Sequence, residues 1–116
     1  DQFNRTAERG RQASVVMFLD HACELLLKAA LLQRGCDIRD GDTGYTFSSE
    51  TCLNKATDDA AVKFLAEDER TTMRVLNALR DQAQHYLVDV SEPVLYTVAQ
   101  STLTLFGDLL VRLFAV

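Results

Sequence analysis

The sequence has few of the residues that interrupt regular structure or hold cofactors. It contains no tryptophan, one proline and five glycines in 116 residues, which leaves few breaks in the chain and favours long helices. Its three cysteines, Cys23, Cys36 and Cys52, form no CxxC pair and no metal-binding spacing. We therefore expect inert thiols in a reducing compartment, with no bound metal and no other cofactor.

A basic excess is also absent, since 17 acidic residues outnumber 12 Lys and Arg and the net charge is −5. Such a domain has no long-range attraction for nucleic acid. Any RNA contact must then come from a local patch, a dimer groove or a part of the protein outside this sequence. The sequence has no signal peptide, and polar residues interrupt its most apolar stretch, Val15 to Leu32. We expect a cytoplasmic protein that makes no membrane contact.

What is present is an ordinary globular composition, with 47% hydrophobic and 25% charged residues. The length predicts a single domain over residues 1–116. Because the sequence starts at Asp1 and ends within the apolar run Leu109 to Val116, we expect this domain to be a piece of a longer chain.

Helical periodicity dominates the sequence. The first helix is predicted from about Thr6 to Gln33, with Gly35 providing a left-handed stop. The apolar residues predicted to face inward on this helix are Val15, Phe18, Leu19, Ala22, Leu25, Leu26, Ala29 and Leu32. Glu24 and Lys28 are spaced for an i,i+4 ion pair.

Turn and cap residues divide the rest of the chain. Asp40 to Gly44 is a strong turn, Tyr45 to Phe47 is a candidate extended piece, and Ser48 or Ser49 caps a short helix that ends near Thr57. A further helix begins at Asp59 or Glu67 and ends near Leu87. The last follows Ser91-Glu92-Pro93. The predicted inward residues are Leu53 and Ala56 on the short helix and, on the last helix, Leu95, Val98, Thr102, Leu105, Phe106, Leu109, Leu110 and Leu113. The fold class predicted is all-α: an antiparallel bundle of three long helices plus one or two short ones.

The stretch Arg80-Asp81-Gln82-Ala83-Gln84-His85 carries the residues with the most chemistry. On a helical wheel Arg80 lies beside the predicted core stripe, whereas Asp81 and His85 lie opposite it, one turn apart. The members of that core stripe are Val75, Leu76, Leu79, Ala83, Tyr86 and Leu87. Arginine binds phosphate through a fixed fork of donors, and histidine titrates near neutral pH. Asp81 is placed to accept a hydrogen bond from His85 and fix its tautomer.

Arg80 and His85 are separated by about 140° on the wheel, so one helix does not bring them together. A second copy of the helix across a two-fold axis would. The plainer alternative is that these residues are an ordinary solvated face, because exposed charged residues need no special explanation.

The chain resembles the HEPN superfamily (higher eukaryotes and prokaryotes nucleotide-binding) over nearly its whole length. The resemblance is carried by Arg80 to Leu87, by Phe18 to Ala29, and by Phe47 with Cys52 to Lys55. It is similar to an uncharacterised bacterial branch whose domain opens longer proteins. Members of the superfamily are commonly homodimers, and many are metal-independent endoribonucleases of toxin–antitoxin, abortive-infection or CRISPR-linked antiviral defence systems.

The resemblance implies roles for individual residues. Arg80 would bind the scissile phosphate, His85 would act as general acid and base while the RNA 2′-hydroxyl attacks, and Asp81 would orient the site. The expected partners are RNA, a second copy, and an antitoxin or the remainder of a longer chain. In some toxins of the superfamily a partner enzyme modifies a tyrosine that lies two residues after the histidine. Here Tyr86 directly follows His85, so we do not expect that regulation in this chain.

Further binding residues are candidates only. Gln84 belongs to the same motif, and Asp20 and Glu24 share a face of the first helix that could line the same groove. Two alternatives to a ribonuclease stay open: a non-catalytic dimerisation or nucleotide-binding module of the same type, and a bundle unrelated to RNA, which the acidic net charge favours.

Overall fold

The computed structural model describes residues 2–85 and 91–115, without the side chains of residues 2–6, 8, 9 and 85. Four helices form in chain order: α1 (Gln2–Gln33), α2 (Ser49–Asp58), α3 (Glu67–His85) and α4 (Glu92–Phe114). The described residues contain no β-strand, and their β pairing is limited to an isolated antiparallel bridge between Arg39 and Thr46. The all-α class with three long helices and one short helix is confirmed.

The helix ends follow the predicted capping chemistry. Gly35 adopts a left-handed φ of 81°, and the Cys36 N–H donates back to the Leu31 carbonyl at 2.9 Å, as in a Schellman stop. The Ser48 and Ser91 hydroxyls accept from the N–H groups three residues on, at the starts of α2 and α4. The α1 helix begins at Gln2 rather than near Thr6.

The sequence left open whether the third helix begins at Asp59 or at Glu67. In the structure residues 59–66 form a loop that contains a turn. The Asp59 carboxylate accepts from the Ala61 N–H at 3.0 Å, and the helix resumes at Glu67. Glu69 then accepts from the Ala66 N–H at 2.9 Å. This is the reach-back bond of a capping box, and it fixes where α3 starts.

One hydrophobic core joins the four helices, and α1 packs against each of the other three. Its buried members are Val16, Cys23, Leu26, Leu27, Leu31, Cys52, Leu53, Ala56, Val62, Leu65, Met73, Leu76, Leu79, Leu105 and Leu109. The predicted inward residues of α2 and α4 agree with this core, with Leu53, Ala56, Thr102, Leu105 and Leu109 buried.

The predicted inward face of α1 is wrong. Phe18 is 76% exposed, Leu25 55% and Leu32 54%. Of the predicted set only Leu26 is buried, and Leu19 is partly buried against the core. The buried face lies on the opposite side of the helix and consists of Gln12, Val16, Asp20, Cys23, Leu27, Ala30 and Leu31, with Leu26 at its edge. The prediction failed because α1 has apolar residues on two sides. The other helices pack against the side that includes the carboxylate of Asp20, which the sequence pattern disfavours as a core face.

A smaller correction applies to α3. Leu76, Leu79 and Ala83 are buried as predicted, but Val75 is 46% exposed and Met73 takes a place in the core instead. Two further members of the predicted stripe, Tyr86 and Leu87, lie outside the described residues.

The α4 helix exposes much of its apolar surface. Within the described part of the chain it is the one helix long and apolar enough to cross a membrane, judged by length and composition alone, and 17% of its most apolar window is buried. Tyr96, Leu103 and Val111 are each more than half exposed. The stretch Val15 to Leu32 of α1, which the sequence analysis judged too interrupted to span a membrane, does not meet that test.

Candidate functional site

Three of the predicted site residues meet where α1 packs on α3. The Arg80 Nε lies 3.2 Å from the Asp20 Oδ2, and the Arg80 Nη2 lies 2.9 Å from the Asp81 Oδ1. The Asn77 amide donates to the other oxygen of Asp20 at 3.2 Å. We call Asp20, Asn77, Arg80 and Asp81 the ionic cluster. Its members come from two helices, so the contact joins residues 60 positions apart in the chain.

The ionic cluster is buried on one side and open on the other. Asp20 is 8% exposed, whereas the side chains of Arg80 and Asp81 are 33% and 47% exposed. A buried carboxylate is costly unless it is paired and hydrogen-bonded, and Arg80 and Asn77 supply these partners. The Arg80 Nε is out of solvent and lacks hydrogen-bond geometry, so its interaction with Asp20 is an ion-pair contact at 3.2 Å.

Asp81 accepts a hydrogen bond from Arg80 in this structure. It was predicted to accept a hydrogen bond from His85, which is the last residue of α3. The His85 side chain lies outside the described residues, so both that bond and the position of the imidazole stay predictions. What the geometry provides is an arginine held between two carboxylates.

Glu24 and Gln84 take no part in the ionic cluster. Lys28 donates to Glu24 at 3.0 Å, which confirms the predicted i,i+4 pair, and His21 lies 4.0 Å from the other Glu24 oxygen. Gln84 is exposed on α3. Sequence reasoning missed Asn77, although its position three residues before Arg80 places it on the same helix face.

Cys23 lies one turn beyond Asp20 on the buried face of α1. Burial, and to a lesser extent the nearby Asp20 carboxylate, together raise the pKa of its thiol to about 11. Burial also raises the pKa of Cys52. Thiols of this kind are poor nucleophiles at neutral pH because the thiolate is scarce. The three cysteines are free, and the described residues contain no group of His, Cys, Asp and Glu that could hold a metal ion.

Other arginines of α3 and α4 are also held by acidic side chains. Arg70 bonds Glu67 and Asp58, and Arg74 bonds Glu50. Arg112 donates to Glu69 and to the Phe64 carbonyl at 2.9 Å. Pairing with a carboxylate is therefore a general feature of this acidic protein. Arg80 shares with Arg112 a partner carboxylate that is largely out of solvent, since the side chains of Asp20 and Glu69 are 11% and 14% exposed.

No family model, curated protein or solved structure matches this chain. Membership of the HEPN superfamily therefore stays a prediction carried by the motif residues.

The ionic cluster has one chemical capability that follows from its exposure. Its formal charge is −1, from two carboxylates and one guanidinium, so it does not attract anions at a distance. At close range the exposed edge of Arg80 could exchange the half-exposed Asp81 for a phosphate, while Asp20 continues to hold the guanidinium from its buried side.

Proposed function

We propose that this domain is a HEPN-type metal-independent endoribonuclease of a bacterial defence or toxin system, acting in the cytoplasm as a homodimer with a composite site. The supporting observation is the ionic cluster, in which Arg80 is fixed by α1 yet keeps a third of its side chain open to solvent. An arginine held in one orientation and still accessible suits the binding of a phosphodiester.

The proposed reaction needs only side chains and the substrate itself. His85 of one copy removes the proton from an RNA 2′-hydroxyl, whose oxygen attacks the adjacent phosphorus. The bond from phosphorus to the 5′-oxygen breaks, and a second proton donor, His85 of the other copy, protonates that leaving oxygen. Arg80 neutralises the charge that develops on the phosphate. The products are a 2′,3′-cyclic phosphate and a 5′-hydroxyl.

The test is cleavage of RNA by the purified protein in EDTA, with identification of the product ends. We expect cleavage by the wild type and a loss of at least about 100-fold for Arg80→Ala and His85→Ala, the lower limit typical of removing an acid–base group. Arg74→Ala is the matched control, because Arg74 also lies on α3 and is paired with a carboxylate. If the Arg80→Ala and His85→Ala variants cleaved RNA as fast as the wild type, the catalytic assignment would be refuted.

A second candidate is a non-catalytic dimerisation or binding module of the same type. It is favoured by the two carboxylates that occupy Arg80 and by the acidic net charge of −5. Under this alternative Arg80 only fastens α3 to α1. The wild type would then neither cut RNA nor bind it with the steep salt dependence of phosphate contacts.

A further inference from the structure

The outward face of α1 carries an apolar stripe that the bundle does not cover. Its exposed members include Phe18 at 76%, Leu25 at 55%, Leu32 at 54% and Val15 at 41%, with Ala29 exposed and Ala22 partly so. We call this set the outer stripe: Val15, Phe18, Ala22, Leu25, Ala29 and Leu32.

The spacing of the outer stripe is that of a helix–helix seam. Its members follow one another at alternating intervals of three and four residues, the a and d positions of successive heptads. They fall within an arc of about 100° and extend for about 25 Å along the helix. The polar residues His21, Glu24 and Lys28 border the outer stripe on one side, where Glu24 accepts from Lys28 at 3.0 Å and lies 4.0 Å from His21.

We propose that the outer stripe binds the outer stripe of a second copy, with the two α1 helices antiparallel. The size pattern of the side chains carries the argument. With a two-fold axis between Cys23 and Glu24, the layers of the seam pair Val15 with Leu32, Phe18 with Ala29, and Ala22 with Leu25 of the other copy. Each layer then combines a larger and a smaller side chain, so the helices keep an even separation.

A parallel pair would pack poorly. Each residue would then lie opposite itself, so that the Ala22 and Ala29 layers are empty while the Phe18 layer is crowded. Like a parallel in-register pair, the antiparallel arrangement is isologous, meaning that one surface serves both copies and the assembly closes at two. A self-complementary pattern of sizes is the feature that identifies a second copy as the occupant.

The area of the seam indicates a modest affinity. A standard interface removes roughly 800 Å² from each partner, and six side chains along one helix supply less than that. We therefore expect a dissociation constant in the micromolar range, where association depends on protein concentration.

This contact is distinct from the composite ribonuclease site and does not depend on it. Asp20 and the centre of the outer stripe are roughly 170° apart around α1. A pair joined along the outer stripes therefore holds its two Arg80 residues apart by at least the thickness of two helices, about 20 Å. A chain that uses both two-fold contacts in a closed assembly forms a tetramer rather than a dimer.

The first experiment measures molar mass by sedimentation equilibrium from about 1 to 500 μM, a range chosen around a micromolar dissociation constant. The wild type should associate, and Phe18→Glu and Leu25→Glu should each lower the assembly by one step, from dimer to monomer or from tetramer to dimer. Leu103→Glu on α4 is the matched control, since Leu103 and Leu25 are both 55% exposed. Circular dichroism verifies that the variants keep their helices.

Two results would overturn the proposal: a wild type that stays monomeric over the whole range, or association that survives Phe18→Glu and Leu25→Glu. Disruption by Leu103→Glu alone would assign the contact to α4 and so reject it as well. RNA cleavage is scored separately on the same samples, so loss of the seam and loss of the nuclease are distinguishable.

The second experiment tests the orientation of the helices. Ala22→Cys and Leu25→Cys chains, each also carrying Cys36→Ser, are mixed and oxidised, so that a disulfide forms between cysteines that face each other. With equal amounts of the two chains, random pairing would make about half of the disulfide-linked dimers mixed, and the antiparallel seam predicts a mixed Ala22→Cys/Leu25→Cys share well above that. A mixed share at or below the random level would contradict the proposed register.

Discussion

The two sides of α1 both carry apolar residues, but one side packs in the core and the other is exposed to solvent. The buried side places Leu27 and Leu31 in the core and brings Asp20 to Arg80. The opposite side presents the outer stripe to solvent. The comparison teaches that apolar periodicity marks a surface that needs a partner, but it does not say whether that partner belongs to the same chain. One side of α1 organises the bundle, and the other is proposed to organise an assembly.

The largest expected difference between the two sides of α1 is that one affects RNA cleavage and the other affects the molar mass of the assembly. Arg80→Lys keeps a positive charge beside Asp20 but loses the planar fork. We expect it to lower RNA cleavage by at least about 10-fold without changing the molar mass of the assembly. Phe18→Glu should lower the molar mass of the assembly without changing RNA cleavage. Parallel cleavage and sedimentation assays measure both effects, and a variant that lost both properties together would show that the two sides act as one site.

Stability should separate two adjacent leucines. Leu31 is fully buried and Leu32 is 54% exposed. We expect Leu31→Ala to lower the free energy of unfolding by about 2–5 kcal/mol, because it leaves a cavity. Leu32→Ala should change it by less than about 0.5 kcal/mol. Urea denaturation at a protein concentration below the association range provides the measurement, and similar losses for both variants would invalidate the assignment of the two faces.

The two carboxylates of the ionic cluster should also be unequal. Asp20→Asn removes the buried partner of Arg80, and we expect a loss of about 1–2 kcal/mol, reduced from the value for a fully buried pair because Arg80 is partly solvated. Asp81 is 47% exposed, so Asp81→Asn should cost less than about 0.5 kcal/mol. The same urea titrations compare them, and an equal cost would mean that Asp20 is not the main anchor.

Thiol chemistry gives the mildest comparison of the two sides. Cys23 should resist Ellman's reagent at pH 8 in the folded protein, because its pKa is raised to about 11 by burial and by Asp20. At a protein concentration below the association range, a cysteine introduced on the outer stripe by Ala29→Cys should react at the rate of a free thiol. Fast labelling of Cys23 without denaturant would contradict its burial.

The same shift in pKa has a consequence for stability at alkaline pH. The folded protein retains the Cys23 proton that the unfolded chain releases above its ordinary pKa of 9.0. This contribution is therefore fully present below about pH 9 and is lost as the pH rises from 9 towards 11. Removing the thiol by Cys23→Ala should flatten the fall of the unfolding free energy in that window, measured against the wild type.

Local signals in the sequence predicted most of the fold. Gly35, Ser48 and Ser91 marked helix ends because their capping chemistry depends only on neighbouring residues. The inward residues of α4 were predicted correctly because the alternative face contains Gln100, Gly107 and other residues less suited to a core.

The α1 face could not be chosen in the same way. Its outer stripe has the cleaner heptad pattern, while the true core face is interrupted by Gln12 and Asp20. A buried carboxylate counts against a face until its partner is known, and Arg80 becomes that partner only through the tertiary contact of α1 with α3. The sequence motif predicted that Arg80 and Asp81 belong to one site. It contained no information about the distance from Arg80 to Asp20.

The pairing of Asp20 with Arg80 also imposes an order of events during synthesis. A ribosome that adds about 5–20 residues each second needs roughly 3–12 s to add residues 21–80 after Asp20. Until Arg80 emerges, the Asp20 carboxylate keeps its water and the inner side of α1 has nothing that compensates its burial. The outer stripe needs no such delay, because everything it requires is present in α1 itself. Neighbouring chains on one messenger RNA would thus be able to meet along α1 before either bundle has closed.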